Sequence, residues 1–528
     1  MGRAPLSGRW AALISIVAVC VTGCGGSSSP SSSSSSGSHT RGPLVVAINS
    51  GVTSLDPAQA CTAFYDYAIV KNLYDPLVDY GTATMAGGKR QIVPSLATSW
   101  KVSPDGKTYT LQLRHGVTFS SGNPLTSADV VYSMHRTLKS GGCQDYVLTY
   151  QNKITSVKAI GPFTVQIKLA AVDPEFLDQL AQTGTGPLDM KVLQAHGGLS
   201  NAGNNWIATH SAGTGAYELT SDQPNNELVL TARKNYWKGT PKNTEVDIRV
   251  VTDPSTLNTL ATSGQADMVY GIPLQDVSNM KSAGRKVIAT PQPFYSYLGL
   301  NNKKPPFNNP LVRRAVEEAI PLQQIAHALG YGYVTPYVGP IPPDMPFYSN
   351  LPVPAPNVTA AKALMRQAGV SNASVAIDVI EGKTEEQQVA TIVQAALRQI
   401  GINASINTMG SSAFFNAVNG FKDQAYLLLD GSPLNDPSYL LGYIVSCGNA
   451  FNWPAYCNKR IQTLLPKAAF ATSPATRASV YKEITRIFVQ DPGYVPIFSP
   501  DQIIVTDPNL SGYVSYPDAE TVFWTISK

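Results

Sequence analysis

Residue types that do chemistry leave marks in spacing, and this chain of 528 residues carries few of them. Gly-Lys-Thr occurs twice, at Gly106-Lys107-Thr108 and Gly382-Lys383-Thr384. A phosphate-cradling loop needs another glycine five residues earlier, where the chain has Lys101 and Ile377, so both triplets read as turns. No Gly-x-Ser-x-Gly elbow exposes a nucleophilic serine. The six histidines, His39, His115, His135, His196, His210 and His327, are scattered without His-Glu-x-x-His or paired spacing, and no Cys-x-x-Cys occurs. The sequence therefore implies no metal and no cofactor. Nothing local brings two carboxylates together for acid–base work, so the chain reads as a non-enzyme.

The cysteines point to a compartment instead. Residues 1–24 begin with Arg3 and Arg9, continue through an apolar run over residues 10–21, and end in small residues. That is the layout of a secretory signal, and the apolar run is far short of the roughly 20 residues that span a bilayer. Val21-Thr22-Gly23-Cys24 resembles a bacterial lipobox, so Cys24 is the expected lipidation site and the first residue of the mature chain. Residues 25–42 are mostly Ser and Gly, a composition that behaves as a flexible tether of roughly 20–25 Å reach. Four further cysteines remain in an oxidising compartment, and three pairings are open. Cys61–Cys143 with Cys447–Cys457 is favoured, because the second pair closes a short loop.

Composition sets the scale of the elements that hold any site. With 43% hydrophobic and 14% charged residues the chain folds into globular units rather than a disordered or coiled-coil assembly. Its length suggests about three structural units. Lys and Arg number 39 against 35 acids, and loss of Arg3 and Arg9 leaves 37 − 35 = +2, too little for a nucleic-acid partner. Strands are expected at residues 44–48, 109–113, 163–169, 228–231 and 494–498, and a helix at 67–78. A type I turn at Ser103-Pro104-Asp105-Gly106 joins a hairpin. Thr126 with Asp129 three residues on forms a capping box opening a helix to about residue 138. Residues 254–263 read as a helix stopped by Gly264, and 477–489 as another. Residues 374–380, 385–400 and 402–407 form a β-α-β pattern whose helix turns Val389, Ile392, Val393, Ala396, Leu397 and Ile400 to one face.

Several of these segments carry more than periodicity. Pro94-Ser95-Leu96-Ala97-Thr98-Ser99-Trp100 followed by SPDGKTYTLQLRHGVTFSSGNPLTSADVVYS strongly resembles the family 5 extracellular solute-binding proteins, the oligopeptide, dipeptide and nickel receptors of ABC importers. Downstream, GTGAYEL (213–219), LTARKNYWKGTPK (230–242), LNTLATSGQADM (257–268) and LGLNNKKPPFNNPLVRRAVEEAI (298–320) resemble further motifs in the same order. Two positions depart from the pattern: Ala216 replaces a proline and Pro321 an aspartate. The resemblance spans residues 44–494.

It implies an α/β, two-lobed periplasmic-binding-protein-like fold with an extra third domain and a hinged ligand cleft. The expected division is a signal peptide over 1–23, lipidated Cys24 and tether over 24–42, and lobe I drawn from 43–60, 206–296 and 491–528. The extra domain II takes 61–205 and lobe III 297–490. Trp100, Tyr236, Trp237 and the glycine turns are expected to be architectural. In peptide-binding relatives an Asp three residues before an acidic-Pro pair anchors the ligand's α-ammonium. Here Pro433 occupies that place before Asp436-Pro437, and the nearest upstream acid is Asp430, which either takes over as anchor or merely ends a strand at Gly431. A second contact segment after the first strand is matched by Thr62, Phe64, Tyr65 and Asp66. The expected cleft is thus lined by Phe64, Tyr65, Asp66, Asp430, Ser432 and Asn435. The resemblance implies a monomeric, lipid-anchored importer receptor on the outer face of the cytoplasmic membrane or cell envelope, delivering a short peptide or similar solute to an ABC permease and ATPase. Alternative readings are a surface sensor, a receptor for a nickel chelate or sugar-like solute, or an exported hydrolase.

Overall fold

A strand covered on both faces must be apolar at nearly every position, which Leu44–Ile48 achieves with LVVAI. In the computed structural model, which describes residues 42–60, 64–84, 90–150, 152–516 and 521–528, this strand lies parallel to Glu245–Val250 on one side and Met268–Tyr270 on the other. Val46, Ile48, Met268 and Tyr270 pack with Tyr65, Ile69 and Leu73, whereas Ala47, Val269 and Val505 pack with Leu257 and Ala261. Period-two alternation thus feeds two cores, one on each side of the sheet.

Leu257 and Ala261 lie one turn apart on Pro254–Ser263, the helix read from the sequence. The Asp253 carboxylate accepts from the Thr256 backbone N–H at 2.8 Å, Pro254 opens the first turn, and Gly264 ends the helix at φ 74°. The helix expected at residues 67–78 is displaced: it spans Phe64–Leu73, and Val78–Thr84 is already a strand. Pro76 is the cause, since it drives Asp75 out of the helical region and ends the helix ahead of it.

The sheet extends to twelve strands through one shared element, the 13-residue strand Tyr494–Thr506. Phe294–Leu300 pairs with its first part, Gly299 opposite Tyr494 and Ser296 opposite Phe498. Lys286–Pro291 pairs with its second, from Pro291 opposite Asp501 to Lys286 opposite Thr506. Two backbone segments therefore carry the sheet from one half into the other. The sequence ended this strand at Phe498; it runs on through Pro500, which stands opposite Val334 of the short edge strand Val334–Pro336, and the next N–H, of Asp501, donates to the Tyr333 carbonyl at 2.8 Å.

In the second half the β-α-β pattern forms as read: Ala373–Ile380 and Ile402–Met409 are parallel partners joined by Thr384–Gln399. Val389, Val393, Ala396 and Leu397 are buried and Ile392 packs at the margin. A separate four-stranded antiparallel sheet holds Ala97–Val102, Thr108–Leu113, Thr164–Leu169 and Ile154–Gly161. The helix Ser127–Thr137 packs on it, with the Asp129 carboxylate accepting from the Thr126 N–H at 2.9 Å and the Thr126 hydroxyl at 2.7 Å.

Buried polar groups tie these parts together. Asp75, 3% exposed, accepts from the Tyr236 hydroxyl at 2.7 Å, the Trp237 indole at 2.9 Å and the Thr214 hydroxyl at 2.9 Å. The turn carrying Thr214 is glycine-rich for steric reasons: a Cβ on Gly213 would stand 2.1 Å from the Leu73 carbonyl oxygen. Arg477 bridges Glu175 at 2.5 Å and Asp436 at 2.6 Å, all three side chains being almost wholly buried. Cys447 and Cys457 form a disulfide. Cys61 and Cys24 lie outside the described residues, and with them the Cys61–Cys143 pairing and the lipidation site.

Candidate functional site

Strand ends from both halves open onto one cavity of about 590 Å³, within the ordinary size range for small-solute sites. Asn49 follows the first strand, Gly271 follows Met268–Tyr270, and Tyr65 and Tyr67 come from the first turn of Phe64–Leu73. Phe294, Ser296, Asp501 and Gln502 come from the two crossing segments. The second half contributes Leu429, Asp430, Gly431, Ser432 and Pro433 at the end of Ala425–Gly431, and Lys383, Glu385 and Glu386 where Thr384–Gln399 begins. Ligands of open α/β sheets collect at the carboxyl ends of strands, and three of the contributing strands, Leu44–Ile48, Met268–Tyr270 and Ala425–Gly431, end here.

Asp430 is positioned by register. It stands opposite Tyr295 in the antiparallel ladder, and its carboxylate accepts from the Tyr295 hydroxyl at 3.1 Å, the Tyr443 hydroxyl at 3.5 Å and the Gly431 N–H at 2.8 Å. Burial pushes its pKa up to about 6, against the pull of those three donors. Its hydrogen bonds are made to neutral groups, so the site holds an anion short of a counter-charge. Tyr65 is 6% exposed, donates to Asn49 Oδ1 at 2.6 Å and stands edge-on to Tyr270 at 5.9 Å. Tyr443 stacks on Phe451 at 5.2 Å, so the tyrosines around the carboxylate are held by rings as well as by hydroxyls.

Of the six residues expected in the cleft, Tyr65, Asp430 and Ser432 are brought together at this cavity. The Ser432 hydroxyl is used within its own loop, donating to the Leu434 carbonyl at 2.6 Å. Asp66 and Asn435 are outside the lining. Asp66 is fully buried and accepts from the Thr53 N–H at 2.8 Å and from the Thr53 hydroxyl, which holds the loop ahead of its helix. Asn435 precedes the buried Asp436, whose carboxylate caps Pro437–Ile444 by accepting from the Ser438 N–H at 2.9 Å. The side chain of Phe64 and all of Thr62 fall outside the described part.

Sequence reading missed Lys383, Glu385, Glu386, Asp501 and Gln502. Lys383 belongs to the Gly-Lys-Thr triplet rejected as a phosphate loop; its signal was its place after a strand of the β-α-β unit. Asp501 and Gln502 were hidden by Pro500, which read as a strand terminator.

Comparison with known proteins agrees with this arrangement. The family model described as "Bacterial extracellular solute-binding proteins, family 5 Middle" matches residues 91–452. The glutathione-binding protein GsiB of Shigella dysenteriae serotype 1 is 27% identical over 487 residues, covering 90% of this chain and 92% of that protein. The periplasmic binding protein DppA of Helicobacter pylori, solved with the peptide STSA, superposes with a TM-score of 0.80 at 25% identity, covering 92% of this chain and 98% of that one. A dipeptide-binding protein of Pseudoalteromonas sp. SM9913, solved with Met-Leu, shares the fold with a TM-score of 0.81 at 21% identity, covering 92% and 100%. The match over most of the folded chain, with a cavity at the junction of two sheet halves, makes this chain a member of the family 5 bacterial extracellular solute-binding proteins.

Proposed function

We propose that this chain is the lipid-anchored receptor of an ABC importer, capturing a short peptide or similar solute and delivering it to a membrane permease served by an ATPase. Asp430 carries this reading. It is a half-buried carboxylate in a cavity between two sheet halves, bonded only to neutral donors, and a protonated amine is the group that such a site best receives. Lobe I is assigned to residues 43–60, 206–296 and 491–528, lobe III to 297–490 and the extra domain to 61–205, and the two crossing segments are the hinge about which lobes I and III close on the solute. Peptide complexes of the structural neighbours support the ligand class, and the lipobox at Cys24 with its Ser/Gly tether supports the anchor.

Calorimetry of the purified protein with di-, tri- and tetrapeptides, their N-acetylated forms and Asp430→Asn tests the ligand. Weakening by both acetylation and substitution supports the anchor; no binding of any peptide refutes the peptide reading. Cys24→Ser should release soluble protein or block processing, and normal-sized Cys24→Ser protein remaining with the membrane would refute the anchor.

A further inference from the structure

An anchor at Asp430 leaves most of the charge in the same cavity unexplained. Glu385 and Glu386 stand in the first turn of Thr384–Gln399, Asp501 stands on the crossing strand Tyr494–Thr506, and all three line the cavity with Asp430. Among the described residues Lys383 is the single basic one of that lining, so there carboxylates outnumber ammonium four to one. Among the described residues none of the four carboxylates lies within ion-pairing distance of a lysine or arginine.

A helix N-terminus favours acids, which gives Glu385 and Glu386 a structural reason to be there. Asp501 and Asp430 are on strands and have no such reason. Burial is the largest influence on Asp430, Glu386 and Asp501 alike, and it raises the pKa of each. Lys383 acts against this at Glu386, and carboxylates held partly out of water with so little counter-charge are unfavourable until a cation arrives.

Gln502 adds an independent observation. It is 8% exposed, lines the cavity beside Asp501, and among the described residues its Nε2 has no hydrogen-bond partner. A buried amide donor left open in a cavity wall calls for an acceptor on the ligand, and a peptide carbonyl is one.

We propose that the cleft selects short peptides that carry a basic side chain in addition to the α-ammonium, with a backbone carbonyl accepting from Gln502. This rests on the peptide reading above and narrows it. Glutathione, the ligand in the name of the matched Shigella protein, is a tripeptide with two carboxylates and one ammonium, and a lining of this charge opposes it.

Titration calorimetry of the purified full chain with Lys-Ala, Arg-Ala, Ala-Ala, Glu-Ala and reduced glutathione tests the proposal. The basic peptides are expected to bind at least about tenfold tighter than Ala-Ala, the order of one charge-assisted contact, with Glu-Ala and glutathione weaker still. That preference should shrink as salt is raised. In Asp501→Asn and Glu386→Gln proteins, whose circular dichroism and thermal unfolding certify their folding, the preference for basic peptides over Ala-Ala should fall several-fold. Equal or tighter binding of Ala-Ala, Glu-Ala or glutathione overturns the charge selection while leaving a peptide receptor standing. Failure of every peptide to bind overturns the peptide reading and this inference with it.

Discussion

Asp430→Asn should change stability and affinity in opposite directions. The carboxyl titrates at about 6 in the folded protein against 3.8 for the free group, because burial disfavours its charged form. The folded state therefore holds this proton more tightly than the unfolded one. The penalty is absent below the unfolded value, builds as pH rises from about 4 to about 6, and is complete above that. At about 1.4 kcal/mol per pKa unit it amounts to about 3 kcal/mol. Asparagine is isosteric and cannot ionise, and the Tyr295 and Tyr443 hydroxyls that face this group can rotate to accept from its amide. The unliganded variant should accordingly match the wild type near about pH 3 and exceed it by up to about 3 kcal/mol at about pH 7.5 in urea denaturation. Ligand binding runs the other way. About one-tenth of Asp430 is ionised at pH 5 and about nine-tenths at pH 7, so wild-type affinity for an amine-ended peptide should rise about tenfold over that interval, with protons released on binding. The variant should show neither the rise nor the release from this group. A variant less stable than the wild type at pH 7.5, or one whose stability difference is independent of pH, would refute the assignment of an uncompensated carboxylate.

Three further outcomes follow from the packing. Arg477→Met leaves Glu175 and Asp436 buried without their shared cation and should cost about 3–5 kcal/mol in chemical denaturation, whereas an effect under 1 kcal/mol would mean that the three charges do not form one unit. Cys447→Ala with Cys457→Ala opens a link across a separation of 10 residues and should cost about 2–3 kcal/mol, while peptide mapping of the unreduced wild type should recover this pair. Gly213→Ala places a methyl 2.1 Å from the Leu73 carbonyl oxygen and should cost about 1–3 kcal/mol by urea titration; a neutral result would mean that the turn is not pressed against the helix end.

What was legible in the sequence was what local chemistry determines. Pro254–Ser263 is written in Asp253, Pro254 and Gly264, each of which acts within a turn of its own position. Leu44–Ile48 is written in its apolar run, and the β-α-β unit in the shift from one periodicity to another. The lining of the cavity was legible where it lies close to a strand end that the pattern marks, as for Asp430 and Tyr65. It was illegible where a residue's role is set by a partner elsewhere. Asp66 looks like a free acceptor beside an aromatic pair, but Thr53, thirteen residues back, takes its carboxylate. The buried Asp75 resembles any acid before a proline, and only the fold brings Thr214, Tyr236 and Trp237 onto it. Charge selection was hidden for a further reason: Glu385, Asp430 and Asp501 come from three separate segments, and no window of sequence contains their sum.

The loop over residues 430–436 joins the two kinds of feature. At one end Gly431 is paired with Phe294 and Asp430 faces the cavity. At the other, Asp436 caps the helix Pro437–Ile444 and binds Arg477, which also holds Glu175 of the segment following the four-stranded sheet. Between them Leu434 is wholly buried against Val147 and Tyr439, and the Ser432 hydroxyl closes the turn on the Leu434 carbonyl. A loop fixed by a ladder at one end and by an ion triad at the other has little freedom to let its carboxylate drift. That is the condition for a strand-end acid to act as an anchor, because a charge that relocates with each ligand cannot discriminate between them. The position taken by Pro433 fits the same logic: a residue with a fixed φ stiffens the middle of the loop, while the Asp430 carboxylate sits three residues earlier, where the sheet itself holds it.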